Sequence, residues 1–285
     1  MTGVGSRLGV CGAILATTLL AACGKGSVAD QVKRGELPIE SFSAEQIYER
    51  GEYELTENNE ETAAFYFSEV ERLYPYSELA KRSLIMQAFS YHEAKEYEDS
   101  RSAAQRFIDF YPADDDAAYA QYLLALSYYD QIDDVGRDQG LTFQALQSLR
   151  TVIENYPDSG YAKSAKLKFD LAFDHLAGKE MEVGRYYLRR DHFGSAIKRF
   201  RVVVEDFQTT THTPEALHRL VEAYLSLGLD AEAQTAGAIL GHNYRSTEWY
   251  EDSYKLLTGR GLELEAASDG WLKQVYRQTV QGRWL

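Results

Sequence analysis

What most constrains this chain is a recurring length. Ala44 to Ser77 reads as two helices joined by a turn, a unit of about 34 residues, and the chain downstream is built from variations on it. With Ala44 as position 1, Gly51 falls at position 8, Ala63 at 20, Phe67 at 24 and Pro75 at 32. Small residues at 8 and 20 let the paired helices approach closely. Phe67 and Val70 fill the seam, and Pro75, with no amide hydrogen to donate, stops the second helix. One such unit leaves its apolar face uncovered, so copies must stack. A chain of 285 residues built this way needs neither a single round core nor a division into globular domains.

Counting Lys81 as position 1 of a second unit places Ala88 at 8, Tyr91 at 11, Ser100 at 20, Ala104 at 24, Phe107 at 27 and Pro112 at 32. Tyr111-Pro112 repeats Tyr74-Pro75 after 37 residues. A third unit has Ala125 and Tyr128 in its first helix and Ala145, Leu149, Val152 and Pro157 in its second. Pro112 and Pro157 are 45 residues apart, which implies an insertion of eight between the helices, around Gln131 to Gly140. The fourth unit is displaced. Tyr161 to Asp174 already has helical spacing, yet Gly184, Tyr187, Ala196, Phe200 and Val203 carry the signature. The economical reading is one long helix, or two abutting ones, from about Tyr161 to Leu188. Gly178 and Gly184 count against continuity, each costing about 1 kcal/mol relative to alanine. The fifth unit is regular, with Tyr224, Gly228, Ala233, Leu240 and Tyr244. Gln208 and Arg245 to Thr247 replace the Pro-x-Ser pattern, so the later stops read as weaker. Glu248 to Leu257 is expected to form a solvating cap helix. For Gly261 to Leu285 two readings stay open: a short amphipathic helix on Trp271, Leu272, Val275 and Tyr276, or a segment ordered only on binding.

The amino terminus has the pattern of a targeting segment. Arg7 supplies positive charge, and Leu8 to Leu20 is an apolar run of 13 residues, too short to span a membrane. It ends in Leu20-Ala21-Ala22-Cys23, which resembles a bacterial lipoprotein signal with Cys23 as the lipidated first residue. Gly24 behind it, rather than aspartate, resembles an outer-membrane address. Cleavage would remove Arg7 and Cys11, leaving 29 basic and 44 acidic residues and Cys23 as the sole cysteine, acylated. No disulfide or thiol nucleophile is then available, and the expected cofactor is none beyond the covalent lipid. The expected organisation is signal peptide 1–22, anchor and tether 23–42, three N-terminal units 43–160, two C-terminal units with cap helix 161–258, and tail 259–285. The net charge of −14 argues against a nucleic-acid partner and otherwise reads as a solvated helical surface.

Nothing in the sequence points to catalysis or to a metal. The six histidines are scattered, and His212 and His218 are six apart rather than the four that share a helix face. No nucleophile elbow, P-loop or dinucleotide fingerprint occurs. Asp133-Asp134 and Asp114-Asp115-Asp116 read as solvated turns.

The fold expected is all-α: a solenoid of the tetratricopeptide (TPR) type, with about five helix–turn–helix repeats and a C-terminal cap helix. Behind a lipoprotein signal, this array resembles the BamD (ComL) family of TPR lipoproteins of the outer-membrane β-barrel assembly (BAM) complex. The resemblance covers about residues 20–257 and rests on Leu20-Ala21-Ala22-Cys23, Arg72-Leu73-Tyr74-Pro75-Tyr76, Arg106-Phe107-Ile108 and Glu154-Asn155-Tyr156-Pro157. Its most specific part is Val183-Gly184-Arg185-Tyr186-Tyr187 running into Ala196-Ile197-Lys198-Arg199-Phe200. One departure is Gln139, where the family often has proline.

The resemblance implies a scaffold under the outer membrane. It would bind a POTRA domain of BamA through its C-terminal repeats, associate with other BAM lipoproteins and help deliver unfolded outer-membrane proteins. Arg199 aligns with a family arginine at the BamA contact; the plainer reading is a solvated helix arginine. The N-terminal repeats would take client segments. In a TPR stack, positions 2, 5, 9 and 12 of the first helices face the concave groove, which here selects Tyr48, Arg82, Ile85 and Phe89 among others. Tyr48, Ile85 and Phe89 would dock an aromatic side chain and Arg82 a carboxylate, unless these residues merely pack repeat against repeat. The alternative function is a TPR lipoprotein scaffold of a pilus, secretion or cell-wall machine.

Overall fold

The computed structural model describes residues 37–265 and 270–279. Among them are twelve α-helices and no strand. The first unit pairs α1 (Ala44–Thr56) with α2 (Glu60–Leu73), the second α3 (Glu78–Glu93) with α4 (Tyr97–Phe110), and the third α5 (Ala117–Tyr129) with α6 (Gly140–Asn155). The fourth pairs α7 (Gly160–Leu188) with α8 (Phe193–Asp206), and the fifth α9 (Thr213–Ser226) with α10 (Asp230–Asn243). Helix α11 (Glu248–Thr258) caps the array, and α12 (Trp271–Thr279) follows. Each helix through α10 packs on the next, and the first helices α1, α3, α5 and α7 also touch in succession. The chain is a TPR-type α-solenoid.

Local chemistry sets the helix ends. Ser43, Ser77, Ser159 and Thr247 each accept a hydrogen bond from a first-turn amide of α1, α3, α7 and α11, and Gln46 completes a capping box at Ser43. The second helices stop alike in all five units. Tyr74, Tyr111, Tyr156, Phe207 and Tyr244 leave the helical region while their amides still donate to the residue four back. Proline follows only the first three, so the later stops are not weaker in geometry. What the five share is an aromatic ring packed on neighbouring structure: Phe207 lies 4.7 Å from Phe173, and the Tyr244 hydroxyl donates to the Gln208 carbonyl at 3.3 Å. Within four units the turn between helices needs one left-handed residue, supplied by Asn58, Lys95, Asp191 and Gly228. The third unit uses its insertion instead.

The seam between paired helices follows a size rule at positions 8 and 24. Gly51 faces Phe67, and a Cβ there would come within 2.7 Å of the ring; at Gly184 it would come within 2.4 Å of Phe200. Units two and three place Ala88 with Ala104 and Ala125 with Leu149. Close packing tolerates one large partner per seam.

Helix α7 runs unbroken through Gly178 and Gly184 for 29 residues, about 43 Å of rise. Both glycines sit where neighbours crowd the backbone: Phe200 at Gly184, and the His212 ring at Gly178, 3.2 Å from where a Cβ would lie. That packing outweighs the propensity cost. The inserted residues form a loop between α5 and α6. Its Asp134 and Asp138 side chains accept from the Gly136 and Gly140 amides, and Lys179 of α7 donates to the Gly136 carbonyl at 2.7 Å. The tail does form a helix, with Leu272 and Val275 buried in the core that fills the fourth and fifth units.

Candidate partner-binding surfaces

Arg199 lies on α8. Its neighbours Phe200 and Val203 point into the core, so Arg199 points out, 44% exposed. Its Nη1 donates to both carboxylate oxygens of Glu180 on α7, at 3.0 and 3.3 Å. The remaining guanidinium N–H groups have no partner among the described residues. Beside it opens a cavity of about 260 Å³ lined by Tyr187, Ser195, Lys198 and Val202. An ion pair this exposed adds at most about 1 kcal/mol to stability. The arrangement instead holds a planar cation steady with most of its donors outward, a geometry that can pair a carboxylate.

In the N-terminal units, Tyr48 is buried, its ring edge-on to Phe67 at 5.3 Å. Arg82 is exposed, with its guanidinium 5.5 Å from the Tyr48 ring centre. Burial raises the Tyr48 hydroxyl pKa, and the Arg82 charge partly opposes the shift. Ile85 is buried in the second unit's core with Leu84, Ala88 and Phe107, and Phe89 packs half-buried against that core. The surface that remains open therefore consists of Arg82 and part of the Phe89 ring.

In the third unit the same positions 2, 5 and 12 carry Tyr119, Tyr122 and Tyr129, beyond the groove residues named from the first two units. The structure stacks Tyr119 and Tyr122 around Tyr161 of α7, with centroids 5.2 and 5.5 Å apart, and sets Lys168 over Tyr129 at 4.6 Å. Burial, with Tyr161 beside it, pushes the Tyr119 hydroxyl up to about 12. The position count alone would have found these residues.

The fifth unit is tied to its cap by a charged cluster. His218 Nδ1 lies 2.9 Å from the Ser253 hydroxyl, Arg219 donates to Glu222 at 2.7 Å, and both His218 and Arg219 stack on Trp249. Burial works against ionised Glu222, but hydrogen bonds from His218 and Arg219 outweigh it and hold the carboxyl below its usual pKa. A group depressed in the folded state stabilises above its unfolded pKa, and the benefit disappears as pH falls through the folded one. Glu222→Gln should therefore lower Tm at neutral pH, with the gap to the parent chain closing on acidification into the carboxylate range. Thermal melts across pH 3 to 8 check this; a gap independent of pH would mean that the charge of Glu222 contributes nothing.

A model of the outer membrane lipoprotein family YfiO matches residues 40–239. The outer membrane protein assembly factor BamD of Caulobacter vibrioides is 45% identical over 250 residues, covering 88% of this chain and 82% of that protein. The chain belongs to the BamD family. BamD of Rickettsia prowazekii is 42% identical over 211 residues, covering 74% of this chain and 84% of its own, and BamD of Neisseria meningitidis serogroup A is 27% identical over 215, covering 72% and 80%.

As a BamD-family protein with a TPR fold, the chain is a scaffold, not an enzyme. His175 and His212, with Asp174, line an opening of about 360 Å³ between the inserted loop and α7. Among the described residues no three or more His, Cys, Asp or Glu are arranged to hold a metal, and no helix is long and apolar enough to cross a membrane. Cys23 lies outside the described residues.

Proposed function

We propose that this chain is a scaffold of outer-membrane protein assembly, held at the periplasmic face of the outer membrane by a lipid on Cys23. Its C-terminal units engage a POTRA domain of a BamA-type partner around Arg199, other BAM lipoproteins join the same assembly, and its N-terminal units receive segments of unfolded outer-membrane proteins. The family membership supports the assembly role. The observation that carries the interface is Arg199 itself, exposed, held from one side by Glu180, with donors left over beside a small cavity.

Affinity purification from gentle-detergent extracts tests the proposal. Recovery of a large β-barrel protein with POTRA domains is the expected result, and recovery of a pilus or cell-wall complex instead would overturn it. For the client surface, Phe89→Ala should weaken binding of client peptides at least fivefold, the loss of about 1 kcal/mol typical of an aromatic anchor. Peptide titrations by fluorescence anisotropy measure it, and unchanged affinity would remove Phe89 from the groove.

A further inference from the structure

The C-terminal helix α12 is held like a ligand. Trp271, Leu272, Val275 and Tyr276 form one apolar face, with the spacing by which an amphipathic helix is read when it lies in a groove. The seat is built from three helices of the fourth and fifth units. Arg201 of α8 places its guanidinium 4.9 Å from the Trp271 ring centre, the Trp271 indole N–H donates to the Tyr224 hydroxyl of α9 at 3.3 Å, and α12 lies against α10. Arg201 is itself held by Glu205, whose carboxylate accepts from its Nε at 2.8 Å. Residues 270–285 carry Lys273, Arg277 and Arg283 and no acidic residue, in a chain whose net charge is −14.

The contact is separable from the fold. Helix α8 packs on α9 and α9 on α10 directly, and α12 reaches the array chiefly through α10. A helix of nine residues is too short to stand alone, so α12 is helical only while docked. Burying Leu272, Val275 and part of Trp271 is set against ordering those nine residues, two quantities of comparable size.

We propose that the seat formed by Arg201, Tyr224 and the α10 surface is a docking site for a basic amphipathic helix with a leading tryptophan, occupied in cis by the chain's own C-terminal helix, which exchanges on and off as a strap. Arg201 and Arg199 are two residues apart on α8, so the strap and the Arg199 surface use different sides of one helix.

A fluorescein-labelled peptide of residues 270–285 tests this against the whole chain and a chain ending at Glu265. Anisotropy should show saturable binding to the shortened chain and at least tenfold weaker binding to the whole chain, whose own helix competes at high effective concentration. Trp271→Ala in the peptide should weaken binding at least tenfold. Equal binding to both chains overturns the proposal, as does no binding to a shortened chain whose circular dichroism shows a folded array. Should the shortened chain not fold, hydrogen exchange on the whole chain decides: α12 amides must exchange at least tenfold faster than those of α10. Equal protection would make α12 a fixed cap.

Discussion

Phe200→Ala should cost about 3–5 kcal/mol, as a fully buried phenylalanine truncated in a close-packed seam does. The companion change is more diagnostic. Helix propensity says that Gly184→Ala, deep in α7, should stabilise by about 1 kcal/mol. The seam says the opposite: a methyl there would lie 2.4 Å from the Phe200 ring, and overpacking of that kind costs about 1–3 kcal/mol. The sign decides. Adding Phe200→Leu to Gly184→Ala makes room for the methyl, so the double variant should be more stable than the sum of the single effects by about 1 kcal/mol. Gly194→Ala in α8, with nothing within 4 Å, is the control and should be neutral or slightly stabilising. Urea unfolding followed by circular dichroism measures all five variants, Phe200→Leu alone included. A stabilising Gly184→Ala would mean that the glycine is not required by the close approach.

Arg199→Glu is expected to reduce recovery of the POTRA-containing partner at least thirtyfold in binding constant, about 2–4 kcal/mol, the range seen when one member of an interfacial charge pair is lost. The same change should hardly alter Tm, because the Arg199–Glu180 pair is solvent-exposed. The charge swap Arg199→Glu with Glu180→Arg separates two roles. It rebuilds the intramolecular pair with its polarity reversed, so a merely structural role would be rescued, whereas recognition of a partner carboxylate would not. Restored partner recovery in the swap would remove Arg199 from the interface. The readout is quantitative purification from detergent extracts, with a melt of each variant alongside.

Much of the array was legible in residues alone because each of its rules is local. Small residues at positions 8 and 20, the aromatic and valine behind them, and serine caps act through neighbours within one unit. The insertion appeared as an arithmetic excess between Pro112 and Pro157. Less legible were features whose cause lies across units. The later helix stops looked weak without proline, yet Phe207 and Tyr244 end α8 and α10 by packing on distant residues. Tyr48 and Ile85 sit at groove positions by count, but their surroundings direct most of their surface into the core.

The sequence by itself determined the repeat, its phase and the seam, since these follow from periodicity and from local backbone chemistry, and likeness to relatives determined the family. Only the tertiary structure decided whether α7 is continuous, which donors of Arg199 remain open, and where the tail goes. Those depend on which side chains meet from different helices: Phe200 with Gly184, Glu180 with Arg199, Trp271 with Tyr224. Spacing along the chain encodes which face a residue takes, whereas what stands opposite that face is set by how the units stack.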